Sequence, residues 1–346
     1  MSTDKPQPAL LSQIAGIAAR GIGLISLTGL AAPLAWIAYS HWFIKHALPL
    51  PSAIDAKRQS FEHPLAGRLS YYADRSARGR PLVLIHSINA ASSAYEMRPL
   101  FEAFRGSRPV YALDLPGFGF SARTDRAYTP ELYQAAITGF IQQEVGISEG
   151  VDVIALSLGC EFTARAALEQ PALFHSLTFI APSGFSGADQ QNRIQQLQVS
   201  GASAKTHQQL SNPFWSQPIY DLLATRTSIE LFLKRVFVGP VDMGLVDYDY
   251  ATTHQPGARF APLYFVSGAL FTANIREKVY VRLPMPVLVL YDEDVFVRSN
   301  ELPSFCAKKA NWQAVRIAPT RGLPQFERLD ETVQAITTFW TTNATP

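Results

Sequence analysis

The sequence contains few cysteines and little charge. Two of its 346 residues are cysteine, Cys160 and Cys306, and neither belongs to a metal-binding pattern such as CxxC. Charged residues make up 17% of the chain, the formal net charge is +2, and the basic residues are scattered. We therefore expect no disulfide framework, no bound metal, no cofactor and no nucleic-acid partner.

Histidine is missing from the C-terminal part of the chain. The sequence has seven histidines, and none follows His254. Imidazole is the side chain whose ordinary pKa suits proton transfer near neutral pH. Any proton transfer that depends on this segment must therefore use another group.

Charge is also absent from a long stretch near the N-terminus. The run from Gly21 to Ser40, "GIGLISLTGLAAPLAWIAYS", contains no charged residue. Twenty helical residues rise about 30 Å, enough to cross the hydrocarbon core of a membrane. Trp36, Tyr39 and Trp42 stand at one end, as interfacial aromatic residues do. We predict a single-pass membrane anchor within residues 1–50; a cleaved signal peptide and a docked helix are the alternatives.

Strand and helix patterns alternate through most of the remaining chain. A polar linker is expected over 51–66, followed by buried strand patterns such as "PLVLIH", "PVYALD", "VDVIAL" and "SLTFIAP" with helical patterns between them. This alternation predicts an α/β fold with a mostly parallel, doubly wound sheet. It stops over 185–282, which is helical and aromatic, so we expect core segments 67–184 and 283–346 with a helical lid between them.

Ser157 stands between a predicted buried strand and a predicted helix. The residues Ala155-Leu156-Ser157-Leu158-Gly159 match the pattern G-x-S-x-G, with alanine in place of the first glycine. Small residues flank the serine because the strand-to-helix turn is sharp. The following helix N-terminus favours negative charge. The pattern therefore predicts that Ser157 is a nucleophile.

Several segments together resemble the α/β-hydrolase family from about residue 67 to the C-terminus. "LVLIHSINAASSAYEMRPL" resembles the strand and oxyanion loop, "VYALDLPGFGFSAR" the D-x-P-G-x-G-x-S segment, and "PVLVLYDEDVFV" the strand that presents the acid. The resemblance implies an acid at Asp294, or at Asp292 because this loop aligns ambiguously. It also implies an oxyanion hole from the backbone N–H of Leu158 and another near Ser87 or Ile88.

The family's histidine is not found where the resemblance places it. "APTRGLPQFERLDE" follows the family's G-H-x-x-x-x-E segment, and the histidine position falls on Gly322, or on Arg321 after a one-residue shift. Arginine does not give up its proton. His86, at the sheet edge, and His254, in the lid, are the remaining candidates for a displaced base.

Two functional hypotheses follow. The first is a membrane-anchored serine hydrolase that acts on an ester or related acyl substrate, which the aromatic lid predicts to be apolar. The second is a non-catalytic α/β-hydrolase-like protein that binds a lipophilic ligand or a protein partner. A fold alone does not choose between them.

Overall fold

The computed structural model describes residues 31–146, 150–186 and 188–343. Its strands and longer helices alternate as the sequence patterns predict. The strands are β1 (Lys57–His63), β2 (Gly67–Asp74), β3 (Leu82–Ile85), β4 (Val110–Asp114), β5 (Val151–Leu156), β6 (Phe174–Ile180), β7 (Val287–Tyr291) and β8 (Trp312–Arg316). The helices outside the segment between β6 and β7 are α1 (Ala31–Phe43), α2 (Arg98–Phe104), α3 (Pro130–Phe140), α4 (Gly159–Glu169), α12 (Leu302–Cys306), α13 (Pro324–Glu327) and α14 (Leu329–Thr342).

One sheet of eight strands runs through the molecule in the order β1-β2-β4-β3-β5-β6-β7-β8. β1 and β2 are antiparallel to their neighbours, and the other six strands are parallel. In β3, Val83 and Ile85 pack in one hydrophobic cluster whereas Leu82 and Leu84 pack in another. Alternate residues point to opposite faces, so a strand covered on both faces must be apolar throughout.

Between β6 and β7 the chain forms a helical insertion, defined here as residues 188–282. It consists of α5 (Ala188–Val199), α6 (Ala202–Leu210), α7 (Ser216–Leu223), α8 (Arg226–Val236), α9 (Met243–Thr253), α10 (Phe260–Val266) and α11 (Ile275–Lys278), with a short 3₁₀ turn over Tyr280–Arg282. β6 and β7 still pair directly in the sheet. The insertion therefore interrupts the chain without interrupting the sheet.

The segment predicted as a linker contains an edge strand. Within 51–66, β1 pairs with β2 from Lys57 opposite Ala73 to His63 opposite Gly67. Of the β1 side chains, those of Phe61 and His63 are buried and the others are not. The linker prediction is wrong here because an edge strand needs few apolar residues, and the polar majority of β1 concealed it.

The predicted membrane anchor is contradicted by the structure. Within the described range α1 spans 13 residues, or about 20 Å, which is short of a hydrocarbon core. No helix in the described ranges is long and apolar enough to cross a membrane. Residues 21–30 of the predicted span lie outside those ranges. On α1, Trp36 Nε1 donates to the Pro218 carbonyl at 2.8 Å and Ser40 Oγ donates to Asp221 at 2.6 Å. This helix therefore packs against the helical insertion of the same chain.

Candidate active site

Ser157 occupies a strained turn at the carboxyl end of β5. Its φ is +52°, in the left-handed region that non-glycine residues rarely adopt. Its N–H donates to the Ile180 carbonyl at 2.8 Å, and its own carbonyl accepts from Cys160 N at 3.0 Å. A Cβ at Gly159 would lie 2.4 Å from the His86 carbonyl oxygen, so this position requires glycine. These contacts hold Ser157 at the edge of the sheet in a strained backbone conformation, and such conformations are common at functional sites.

Ser157 lines a large apolar cavity. The cavity has a volume of about 1340 Å³ and is bounded by the carboxyl edge of the sheet and by the helical insertion. The insertion contributes mainly apolar side chains, among them Ile229, Leu233, Leu245 and Phe265. A cavity of this size accommodates a ligand larger than an ordinary drug-sized molecule.

Two backbone amides beside Ser157 remain available for a ligand. Leu158 and Ile88 both line the cavity, and within the described residues neither amide donates a hydrogen bond. Ser87 differs, because its N–H donates to Glu96 Oε2 at 2.8 Å. Of the two positions that the sequence left open on this loop, the contacts therefore favour Ile88 over Ser87 as an oxyanion donor.

Asp294 also lines the cavity, three residues beyond β7. Its Oδ1 accepts hydrogen bonds from Phe296 N at 2.6 Å and Val297 N at 3.0 Å. Burial raises its pKa to about 6 against the opposing effect of these bonds. Asp292, the alternative acid, is bound to Arg316 Nε at 2.6 Å and Thr320 N at 2.7 Å. Asp294 is the carboxyl group of the two that faces the cavity.

Gly322 lies directly against the carboxylate of Asp294. A Cβ built on Gly322 would stand 2.7 Å from Asp294 Oδ2, and Gly322 also lines the cavity. Its φ is +115°, which favours glycine. The chain therefore brings position 322 to the acid, where a histidine would be expected, but in a backbone conformation that suits no side chain.

His86 is bound on both ring nitrogens. Its Nε2 accepts from Leu115 N at 2.9 Å, so Nδ1 carries the proton and donates to the Ser87 carbonyl at 2.6 Å. Burial lowers its pKa to about 3, which keeps the ring neutral. The ring thus organises the loop below Ser157, and its contacts do not support a role as the displaced base.

His254 points away from the cavity. It ends α9, its Nδ1 donates to the Tyr250 carbonyl at 2.7 Å, and its ring lies 6.5 Å from that of His46. Burial lowers its pKa. Neither His254 nor His86 lines the cavity that contains Ser157. The structure therefore brings Ser157, Asp294, Leu158 and Ile88 to one cavity and leaves both histidines outside it.

Comparison with known proteins gives the family. The model of the alpha/beta hydrolase family matches residues 82–335, well over half of the chain. The chain belongs to the alpha/beta hydrolase family. Its sequence is also 29% identical over 117 residues to the uncharacterised hydrolase YugF of Bacillus subtilis, a match that spans 33% of this chain and 41% of that protein.

Solved structures share the fold of this α/β-hydrolase. An esterase of Thermogutta terrifontis superposes with a TM-score of 0.63 at 15% identity, covering 84% of this chain and 100% of the esterase. A bacterial membrane phospholipase A superposes with a TM-score of 0.61 at 19% identity, covering 97% of this chain and 98% of the other. At these identities the likeness shows the fold.

Two further carboxyl groups of this α/β-hydrolase line the cavity and were missed by sequence analysis. Glu96 accepts from Ser87 N and Ser87 Oγ, each at 2.8 Å, and from Asn89 Nδ2 at 3.0 Å. Burial raises the pKa of Glu96 to about 7. Burial, and then the charge of Glu96, raise the pKa of Asp249 well above its usual range. Neither "AYEM", which contains Glu96, nor "DYDY", which contains Asp249, matches a motif, so no sequence pattern selects either residue.

The described residues contain no group of three or more His, Cys, Asp or Glu side chains placed to hold a metal ion. The polar groups that line the cavity include the Ser157 hydroxyl, the two backbone amides and three carboxyl groups. This set suits acyl transfer, in which a hydroxyl attacks a carbonyl carbon and amides stabilise the resulting oxyanion.

Proposed function

We propose that this α/β-hydrolase cleaves esters of apolar acyl groups with Ser157 as the nucleophile. The observation that carries the proposal is the strained Ser157 at the edge of a large apolar cavity. A strained backbone conformation persists only where the surrounding structure holds it, and such conformations cluster at active sites. The helical insertion acts as the lid that covers the acyl chain and keeps it from water.

The oxyanion would be held by the amides of Leu158 and Ile88. Ser157 Oγ attacks the acyl carbon, the carbonyl π electrons move to oxygen, and the two N–H groups donate to that oxygen. A donor in such a position is worth about 3–4 kcal/mol of transition-state stabilisation. The carbonyl then re-forms as the ester C–O bond breaks, and the leaving alkoxide takes the proton that Ser157 released. Water attacks the acyl-enzyme carbonyl in the same way, the bond from the acyl carbon to Ser157 Oγ breaks, and Ser157 recovers a proton from that water.

Asp294 is our candidate for the group that receives the serine proton, because it lines the same cavity as Ser157 and adjoins position 322. Its Oδ1 is occupied by two backbone donors, and its Oδ2 faces Gly322 and the cavity. We propose that one water molecule carries the proton from Ser157 to Oδ2. A carboxylate with a pKa of about 6 is a stronger base than an ordinary aspartate, although weaker than imidazole.

The fold neighbours agree with an acyl substrate. One is named an esterase and another a phospholipase A, and both names describe the cleavage of esters. The wall of the cavity, with Ile229, Leu233 and Phe265, contributes hydrophobic surface to an acyl chain.

A second candidate function, the binding of a lipophilic ligand without catalysis, is favoured by one observation. No histidine among the described residues lines the cavity. Loss of the base of a serine triad lowers kcat by about a millionfold, while oxyanion donors and binding leave about 10³ to 10⁴ over water.

Hydrolysis of p-nitrophenyl octanoate with and without added imidazole tests the proposal. Imidazole is expected to enter beside Gly322 and raise the rate at least about tenfold above its rate in solution, because it is a stronger base than the Asp294 carboxylate. Ser157→Ala should abolish both the basal rate and the increase, and should prevent labelling by a fluorophosphonate. A wild-type rate equal to that of Ser157→Ala under both conditions would decide for ligand binding.

A further inference from the structure

Asp249 presents an unpartnered carboxyl group to the cavity, near Glu96. It lies on α9, lines the cavity and is 7% exposed. Within the described residues its side chain forms no hydrogen bond and no ion pair. A buried polar group without a partner costs about 1–3 kcal/mol. A ligand that offers a hydrogen bond at this position would remove that cost.

The chemistry of this ligand group follows from the neighbours of Asp249. Glu96 is the charged group that acts on Asp249, and its own oxygens are already bound to Ser87 and Asn89. Burial and the charge of Glu96 both oppose ionisation of Asp249, so its pKa is raised and the carboxyl group keeps its proton to a higher pH than an ordinary aspartate. A neutral carboxylic acid donates one hydrogen bond and accepts others.

We propose that Asp249 is a polar subsite for a hydroxyl group carried by an apolar ligand. The ligand hydroxyl accepts a hydrogen bond from the acid O–H and donates one to the acid carbonyl. The corresponding substrate class is an ester that carries a free hydroxyl group beside its apolar chain. This inference deepens the proposed function and rests on its assignment of the cavity to the substrate, but not on the chemistry at Ser157.

An ammonium group is a poorer match for this subsite. It needs an ionised carboxylate opposite it, which burial and Glu96 oppose. Three probes of equal size separate these cases: benzyl alcohol, benzylamine and ethylbenzene. Their binding is measured by calorimetric titration of the wild-type protein and of variants at position 249, so no hydrolysis is required.

The variants distinguish a neutral acid from a charged one. Asp249→Leu removes the hydrogen bonds and should weaken binding of benzyl alcohol about threefold to tenfold, while ethylbenzene binds as tightly as before or more tightly. Asp249→Asn keeps one donor and one acceptor, so it should retain benzyl alcohol binding within about twofold. Asp247→Asn is the matched control, because Asp247 lies on the same helix, paired with Arg226 at the surface.

Three results would overturn the proposal. One is an equal loss of benzyl alcohol and ethylbenzene in Asp249→Leu, which indicates a general collapse of the cavity. Another is unchanged benzyl alcohol binding in that variant. The third is preferential binding of benzylamine that Asp249→Asn abolishes, which indicates recognition of a cation. Absence of esterase activity together with retained alcohol selectivity would disprove the hydrolase proposal and leave this subsite intact.

Discussion

At position 322, the backbone and the neighbouring carboxylate together favour glycine. The φ of +115° is costly for any residue with a Cβ, and a Cβ would stand 2.7 Å from Asp294 Oδ2. A histidine here would have to move the loop or the acid. The missing histidine therefore coincides with a left-handed backbone beside Asp294, and we expect that simple back-substitution does not recreate a triad.

Replacement of Gly322 tests this interpretation. Gly322→Ala and Gly322→His should each destabilise the protein by about 1–3 kcal/mol, because both add a Cβ to a left-handed backbone beside Asp294. Gly322→His should give less than a tenfold gain in ester hydrolysis. Denaturant unfolding and octanoate ester assays measure the two effects. A stable Gly322→His variant with a gain of several orders of magnitude would contradict the argument.

Asp294 should make stability depend on pH. Its folded pKa of about 6 is above the ordinary value near 4, so the folded state binds more protons than the unfolded state between these values. Stability contributed by this group is therefore present at low pH and lost as pH rises through about 6. Asp294→Asn removes the effect. From pH 4 to pH 7, wild type should lose up to about 3 kcal/mol relative to this variant in denaturant unfolding. A difference that does not change with pH would exclude the raised pKa.

At the scale of elements, a buried carboxylate on the helical insertion helps to hold α1. The buried carboxylate of Asp221 on α7 accepts from Ser40 Oγ at 2.6 Å, from Gln217 Nε2 at 2.8 Å and from His46 Nε2 at 3.0 Å. Two of these donors precede the sheet in the chain, and the third belongs to the insertion. Because one buried anion serves all three, the contact is sensitive to the loss of that anion.

Removal of Asp221 should release α1. Asp221→Ala leaves three donors without their acceptor and should cost about 1–3 kcal/mol. Hydrogen exchange of residues 31–48 should become faster, whereas exchange in β5 and β6 should not change. Asp247→Ala, at an exposed position of the same insertion, is the control. Equal protection of α1 in both variants would show that other contacts hold the helix.

At the scale of the whole molecule, the cavity predicts a preference for long acyl chains. Leu223 lines the cavity, and its neighbour Leu222 on α7 is exposed. Leu223→Trp should therefore lower kcat/KM for a decanoyl ester about tenfold and leave an acetyl ester within about twofold, since the larger ring occupies the space of the distal chain. Leu222→Trp should change neither value. A loss of both esters in Leu223→Trp would place the acyl chain elsewhere.

Local patterns in the sequence determined the sheet and the position of the serine. Apolar runs such as "LVLI" and "VIAL" specify strands buried on both faces, because the side chains on each face then pack in a hydrophobic cluster. Gly159 favours the sharp turn after Ser157, because a side chain there would meet the His86 carbonyl. β1 was missed because burial of two side chains leaves no apolar run to detect.

The chemistry of the cavity was decided by contacts between distant segments. The sequence showed that position 322 lacks histidine, but the structure showed that Gly322 adjoins Asp294 and that His86 and His254 face other partners. Asp249 and Glu96 are 153 residues apart, and the tertiary structure alone makes them neighbours in an apolar cavity. The preference of a segment for strand or turn depends on residues that are adjacent in the sequence. The charge of a buried carboxyl group depends on its desolvation and on nearby charges, and both of these exist only in the folded chain.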